Sequence, residues 1–144
     1  MKKTITMLFA GFIALQNVSA QNWLTTGNAG LTAANFIGTT DAVPLIFKVN
    51  NKFAGRVDYA SAKAGTSFGF QTLRVNTGAG NSAFGYQAMF ANTYGYANTA
   101  GGQLSLRENI DGFSNTAYGS QSLQSNVSGY FNTAVGQASL AGSL

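Results

Sequence analysis

The residues of this chain that could do chemistry are few. The sequence contains no His and no Cys, which excludes a Ser-His-Asp triad, a thiol nucleophile and a zinc site of the usual composition. Two carboxylates, Asp41 and Asp58, could form a pair for acid/base work. The alternative is that both are solvated charges, one on a turn and one on the face of a strand. We predict no enzyme activity, no catalytic residue and no cofactor.

Two further patterns suggest a ligand but are explained without one. Glu108 and Asp111 could hold calcium at a turn, yet calcium takes about six or more oxygen ligands, and their neighbouring segments are uncharged. Gly78-Ala79-Gly80 resembles part of a phosphate loop, but the Lys and the following helix of that motif are missing. We therefore predict no metal site and no phosphate site.

The first 20 residues have the form of a secretory signal peptide. Lys2 and Lys3 precede an apolar run from Ile5 to Leu15, and Val18-Ser19-Ala20 offers a cleavage site with small residues. The run is too short to span a membrane comfortably. We predict export to the medium or the cell surface, with no transmembrane segment left after cleavage. Without the two lysines the net charge is about +2, which removes the main support for nucleic-acid binding.

The rest of the chain is dominated by a 17-residue repeat. We count its positions as columns, with Asn81 in column one. An imperfect copy from Gly65 to Gly80 precedes the regular ones, and the last copy stops at Leu144 before its second Gly. The constant columns are one (Asn81, Asn98, Asn115, Asn132), three (Ala83, Ala100, Ala117, Ala134), five (Gly85, Gly102, Gly119, Gly136) and nine (Met89, Leu106, Leu123, Leu140). Column twelve is Asn, and column fifteen is Gly.

The repeat predicts a parallel β-roll, a solenoid with one turn per repeat. Seventeen residues are too few for a two-helix repeat. Gly and Asn recur at about half-repeat spacing and favour turns, partly because they tolerate positive φ. Two turns per repeat leave two short strands, each stacked about 4.8 Å from its equivalent in the next rung. We predict an all-β fold in which residues 63–144 form about 4.5 rungs, and we expect the repeats to be truncated at the C-terminus.

In such a coil each residue lies on its equivalent in the next rung. The small Ala column and the large apolar column nine are predicted to point inward, and the Asn columns to form amide ladders. Stacked like charges would repel, which accounts for the scarcity of charge after Arg74. The interior is too thin for the aromatic residues of columns four and sixteen. We predict that these residues face another coil in a homo-oligomer: Phe84 and Tyr118, then Tyr96, Phe113 and Tyr130.

The repeat Asn-Thr-Ala-x-Gly-x-x-(Ala/Ser)-Leu-x-x-Asn-x-x-Gly-(Phe/Tyr) resembles the head repeats of trimeric autotransporter adhesins. It is also similar to β-roll repeats of bacterial and phage tail-fibre-like proteins. The resemblance covers residues 65–144 and implies left-handed parallel β-rolls, with three chains side by side. The adhesin head repeat is usually shorter than this one, and the chain shows no stalk, anchor barrel or tail chaperone. It is therefore expected to be a fragment or to attach by another means.

Residues 21–62 do not repeat and are predicted to contain a capping β-hairpin. Leu45, Phe47 and Val49 alternate with more polar neighbours, Asn50-Asn51-Lys52 forms a turn, and a second strand runs from Phe53 to Tyr59. Such a hairpin would cover the first rung of the solenoid.

Three functions remain open at this level. The first is a structural or adhesive segment of an exported fibre that binds a host-surface protein or glycan through extended surfaces. The second is a carbohydrate-binding fibre, with sugars stacked on the aromatic columns. The third is ice binding through the column-two row of Ser82, Thr99, Thr116 and Thr133. That row is one residue wide and adjoins bulky aromatic residues, which favours the first two functions.

Overall fold

The computed structural model describes residues 38–39, 41–59 and 65–142. Within these ranges the chain is all-β, without a helix, and its strands form one sheet in chain order. The strands are β1 (Leu45–Val49), β2 (Lys52–Asp58), β3 (Gly65–Phe68), β4 (Asn81–Phe84), β5 (Thr99–Gly101), β6 (Thr116–Tyr118) and β7 (Thr133–Val135). The predicted fold class is confirmed. The predicted signal peptide and the start of the predicted cap lie outside the described residues.

A β-hairpin precedes the solenoid, as predicted. β1 and β2 pair antiparallel, with Leu45 opposite Val57 and Val49 opposite Lys52. The turn residues Asn50 and Asn51 have φ values of 48° and 56°. Positive φ at both central residues defines the turn whose twist suits a two-residue hairpin, and Asn tolerates it. The second strand begins at Lys52 and ends at Asp58, one residue earlier at each end than the sequence predicted.

The hairpin joins the solenoid through β2. This strand pairs antiparallel with β3, so that Gly55 lies opposite Phe68 and Asp58 opposite Gly65. All later pairings are parallel and keep the sequence repeat: Ala83 faces Ala100, which faces Ala117, which faces Ala134. Each turn of backbone therefore corresponds to one repeat, and the strand of each rung extends the same sheet.

One part of the predicted rung is wrong. Columns seven to eleven form turns instead of a second strand. The reason is a left-handed backbone at columns seven and nine, where Gln87 has φ 54° and Met89 has φ 49°, a pattern that recurs in each rung. Backbone hydrogen bonds still join the rungs here, from the N–H of Met89 to the carbonyl of Ser105 (2.9 Å) and from Leu106 to Ser122 (3.0 Å).

The left-handed backbone conformations occur at residue types that the sequence did not indicate, such as Gln, Leu and Met. The Asn residues of columns one and twelve have no positive φ, although the sequence suggested that Asn serves the turns in this way. Column five is glycine for two reasons. Its φ is about 130° at Gly102, and a Cβ there would lie 2.6 Å from the carbonyl oxygen of Gly119 in the next rung. Only glycine combines this conformation with so close an approach of two backbones.

The core consists of two columns of side chains, as predicted. The Ala residues of column three are buried, and so are Met89, Leu106 and Leu123 of column nine. Leu140 is the exception, with 47% of its surface exposed, because no described rung covers the last turn. Column eight adds small buried residues, Ala88, Ser105 and Ser122. The hydroxyl groups of Ser105 and Ser122 are satisfied within the core, since each donates a hydrogen bond to the carbonyl of the column-five glycine three residues earlier.

Two ladders of asparagine side chains run along the interior, also as predicted. In column one the side-chain oxygen of each Asn accepts from the backbone N–H of the next, at 2.9 Å between Asn98 and Asn115. In column twelve the amide of Asn109 donates to the oxygen of Asn92, and the amide of Asn126 donates to Asn109 at 2.9 Å. The amides of both columns also donate to the column-fifteen carbonyls. Buried amides at this density are tolerated because nearly every donor and acceptor is used.

Candidate functional site

The outer face of the sheet is the first candidate surface. Residues alternate along each solenoid strand, so columns one and three point into the core while columns two and four point outward. Column four carries apolar residues that remain exposed, from 38% at Phe68 to 49% at Tyr118 and 71% at Val135. Column two carries the hydroxyl residues. We call this surface the sheet face, and define it by Phe68, Phe84, Tyr118 and Val135.

Two glycines, Gly101 and Gly55, lie in line with the aromatic residues of the sheet face, and neighbouring atoms occupy the space over both. A Cβ on Gly101 would lie 2.5 Å from two ring carbons of Tyr118, so the tyrosine ring occupies the space that a side chain would need. A Cβ on Gly55 in β2 would lie 2.5 Å from the carbonyl oxygen of Ser67 and 3.3 Å from a ring carbon of Phe68, so backbone and ring together occupy this space. Across Gly55, the rings of Phe47 and Phe68 contact each other at 5.0 Å between centroids. Exposed apolar side chains therefore recur along this face from the hairpin to β7, and the ring of Tyr118 covers the glycine of β5.

The second candidate surface is a ladder of aromatic rings at one corner of the coil. Tyr96, Phe113 and Tyr130 of column sixteen stack nearly parallel, with centroids 4.9 and 5.0 Å apart and planes within 5°. We call this set the ring ladder. Tyr96 and Tyr130 are about half exposed. Because the faces of the rings cover one another, the ladder presents ring edges and hydroxyl groups to its surroundings.

Phe131 extends this surface and was not singled out from the sequence. Its ring stands at 80° to Phe113 and 85° to Tyr130, with centroids 5.4 and 5.7 Å away. A ring perpendicular to two stacked rings lies across their edges, which leaves its outer face open, and 71% of Phe131 is exposed. The repeat concealed it, because column seventeen is Gly80, Ala97 and Ser114 in the earlier rungs. An aromatic residue at a non-aromatic column is the signal that could have found it.

The five aromatic residues proposed from the sequence thus fall into two groups. Phe84 and Tyr118 lie on the sheet face, and Tyr96, Phe113 and Tyr130 form the ring ladder. A shorter pair, Phe70 and Tyr86 of column six, stacks at 6.0 Å beside the hairpin, where the ammonium group of Lys52 lies 6.0 Å from the Phe70 ring. All of these residues are positioned by the turns and strands of the rungs and none lies in the core.

Of the four acidic residues, only Asp58 is buried, and Asp111 is exposed. Asp58 is buried, and its carboxylate lies 4.0 Å from the guanidinium of Arg56. Asp41 is exposed and lies outside the solenoid. Glu108 pairs with the adjacent Arg107 at 2.9 Å. Among the described residues, no three acidic side chains come close enough together to hold a metal ion.

The glycine-rich segment before Asn81 also has a structural role. Gly78 packs against the backbone of the next rung, where a Cβ would lie 2.1 Å from the carbonyl oxygen of Gly95. The amides of Asn76 and Asn81 donate to the carbonyl of Gly78. The backbone of Gly78 is thus used in contacts within and between rungs. Residues 38–39, 41–59 and 65–142 contain no apolar helix of membrane-spanning length.

Comparison with known proteins adds no family to this picture. No family model matches the chain, and no match was found among curated proteins or solved structures. Function is therefore inferred from the fold and its exposed surfaces.

Proposed function

We propose that this protein is a structural and adhesive segment of an exported, fibre-like surface protein, and that it works as a homotrimer of β-solenoids lying side by side. The observation that carries the proposal is the sheet face, an exposed apolar surface that runs along five strands of a thin solenoid. Single exposed apolar residues are ordinary, but a row of them along one face marks an interaction site. A host-surface protein or glycan would be bound across extended outer surfaces.

The presence of two different aromatic surfaces favours a ring of three chains. A two-fold dimer buries the same surface of both chains, whereas a closed ring joins one surface of each chain to a different surface of its neighbour. The sheet face and the ring ladder supply such a pair. The exposed ring edges of the ladder would pack against the flat sheet face of the next chain. The resemblance to trimeric adhesin heads and tail-fibre repeats supports the same arrangement.

The proposed export of the protein rests on its sequence. The N-terminal segment has the charge, apolar run and small residues of a signal peptide. The absence of His and Cys supports a protein without enzymatic chemistry. The low charge of the rungs suits a rigid spacer, whose length is set by the number of repeats.

Mass measurement tests the trimer. The mature chain, residues 21–144, should have three times the mass of one chain in light scattering at micromolar concentration. Its mass should fall to that of one chain when the sheet face carries a charge. A chain that stays single at all concentrations would remove the support for lateral association.

Carbohydrate binding is a second candidate, favoured by Phe131. Sugars stack on the open face of an aromatic ring. The ring ladder offers mainly edges, while Phe131 exposes a face. A glycan array probed with the mature chain should give signals that Phe131→Ala removes and Tyr59→Ala leaves intact. Both residues are strongly exposed, so neither variant should unfold the chain. Signals that survive Phe131→Ala would exclude this platform.

A further inference from the structure

A cleft lies where the hairpin meets the first turn of the solenoid. The start of β2 adjoins the turn of residues 70–75, because the backbone N–H of Gly69 donates to the carbonyl of Ala54 at 2.8 Å. The cleft has a volume of about 250 Å³. Since drug-sized ligands occupy pockets of about 300–1,000 Å³, this one suits a single small ring. Its lining consists of two cationic, two aromatic and one amide residue: Lys52, Arg74, Phe53, Phe70 and Gln71.

The two cations of the cleft have no acidic partner. Neither Lys52 nor Arg74 forms an ion pair with any residue that the structure describes. Asp58 ends β2, six residues beyond Lys52, which is about 20 Å of extended strand, and its carboxylate lies beside Arg56. Asp41 precedes β1 and thus lies at the same end of the hairpin as Asp58. The other two acidic residues of the chain belong to the rung of Asn98, two rungs away. The cleft therefore carries two positive charges that are not compensated nearby.

Arg107 provides the comparison within the coil. Arg74 and Arg107 both occupy column ten, two rungs apart. The guanidinium of Arg107 donates to the carboxylate of Glu108 at 2.9 Å, whereas the residue that follows Arg74 is Val75. The same position of the coil is thus neutralised in one rung and left cationic in the rung beside the hairpin.

The aromatic wall of the cleft offers a ring face next to these charges. Phe70 is 39% exposed, and Tyr86 of the next rung stacks on it at 6.0 Å between centroids. Lys52 approaches from the hairpin, with its ammonium group 6.0 Å from the centre of the Phe70 ring. That distance is the outer limit of a cation–π contact. The ring therefore holds the ammonium group only weakly, and the group is available to an anion.

Gln71 adds a neutral donor to the cleft. Its side-chain oxygen accepts from the amide of Gln87 at 2.7 Å, so the group that remains for a ligand is its NH₂. The cleft thus presents an ammonium, a guanidinium and an amide donor beside an aromatic face. A matching ligand carries an anionic group with several acceptor oxygens, together with an apolar ring face.

We propose that this cleft binds an acidic sugar, one ring of an anionic polysaccharide that carries a carboxylate or a sulfate group. The C–H face of the sugar lies on Phe70, the anionic group accepts from Lys52 and Arg74, and a hydroxyl accepts from Gln71. A sugar acid combines charge and an apolar face in one small ring, whereas an acidic peptide side chain offers the charge alone. The cleft shares no residue with the sheet face or the ring ladder, so this site does not depend on the trimer.

Titration of the mature chain with defined trisaccharides tests the proposal. The probes consist of galacturonic acid, of sulfated galactose or of neutral galactose, and NMR follows the backbone amides of Gln71 and Arg74. We expect at least one acidic trisaccharide to bind with a Kd of about 1 mM or tighter, and added salt to weaken it. The neutral trisaccharide should not saturate the cleft. The tighter of the two acidic probes identifies the preferred anionic group.

A capped triglutamate peptide tests whether the ring is read as well as the charge. It carries three carboxylates and no ring. It should bind at least about tenfold more weakly than the better acidic trisaccharide, since the contact with the face of Phe70 is lost.

Matched variants separate the cleft from the overall charge. Arg74→Gln and Arg107→Gln each remove one positive charge from column ten, and only the first lies in the cleft. Arg74→Gln should weaken binding of the acidic trisaccharide about tenfold or more, the loss expected for hydrogen bonds to a charged group, while Arg107→Gln should leave it unchanged. Phe70→Leu should weaken binding about fivefold, with Tyr94→Leu, at an exposed aromatic residue outside the cleft, as its control. Thermal melting verifies that all four variants are folded.

Three results would overturn the proposal. The first is a Kd weaker than about 1 mM for both acidic trisaccharides. The second is an equal loss of binding in Arg74→Gln and Arg107→Gln, which would mean that overall charge attracts the ligand. The third is equal affinity for triglutamate, which would make an acidic peptide the occupant. The mass of the chain is measured separately, so that failure of the sugar site and failure of the trimer are distinguishable.

Discussion

The side-chain oxygen of Asn98 accepts both the backbone N–H and the side-chain amide of Asn115, at 2.9 and 3.1 Å. The amide of Asn98 in turn donates to the carbonyl of Gly112 at 2.7 Å. One buried side chain thus joins its own rung to the next and fixes their register. The asparagine ladder therefore specifies the register of the sheet from the interior. Because it needs an Asn at the same column of each rung, it also makes the 17-residue period visible in the sequence.

We expect Asn98→Asp to destabilise the fold by about 3 kcal/mol or more. The new carboxylate would be buried, and an oxygen would replace the amide that donates to Gly112. Urea unfolding measures the change. Asn50→Asp in the exposed hairpin turn is the matched control, because Asp also tolerates a left-handed turn position, and its effect should stay within about 0.5 kcal/mol. Equal effects of the two variants would show that the ladder contributes nothing of its own.

Leu106→Ala should cost about 2–5 kcal/mol, because it opens a cavity in a core only two columns wide. Leu140→Ala removes the same atoms from the same column. The two residues also share their backbone conformation, with φ 48° and 49°. Since Leu140 is half exposed, its replacement should cost less than about 1 kcal/mol, which follows from the smaller apolar area withdrawn from water. Chemical unfolding of both variants makes the comparison. Similar losses at the two positions would contradict the described core.

The pairing of Gly101 with the Tyr118 ring predicts a coupling between the two positions. Gly101→Ala forces the ring away and should destabilise the unchanged chain. In a Tyr118→Ala background the space is free, and the same change should be neutral or stabilising by about 0.5–1 kcal/mol, the usual gain on replacing a strand glycine. A double-mutant cycle in urea measures the difference. An interaction energy near zero would mean that the ring does not occupy this space.

A charge on the sheet face should break lateral association. Phe84→Asp places a carboxylate in the proposed interface, where its desolvation is unfavourable. We expect the mass in solution to fall to that of one chain with the fold intact, as verified by circular dichroism. Tyr59→Asp is the control, at a more exposed aromatic residue next to the hairpin. If both variants keep the mass of the unchanged chain, the sheet face is not the interface.

Much of the fold was predictable because a solenoid places every residue on its own equivalent. The constancy of Ala83, Ala100 and Ala117 reports burial directly, and so does the large apolar residue in column nine. The turns of columns seven to eleven were not predictable from residue type, since Gln87 and Met89 adopt a backbone more common for Gly or Asn. Their backbone N–H groups donate to the neighbouring rungs on either side, from Gln87 to the carbonyl of Phe70 and from Met89 to the carbonyl of Ser105, and residue type alone does not reveal such contacts. Phe131 was hidden because it breaks the repeat instead of following it.

The mass of the mature chain in solution tests the account most directly. Residues 21–144 are measured by light scattering and by sedimentation over a range of micromolar concentrations, in low and in moderate salt. An interface of apolar rings predicts three chains per particle and little change with salt, because no ion pair holds it together. A particle of one chain at every concentration would contradict side-by-side association and leave the sheet face without a partner of its own kind.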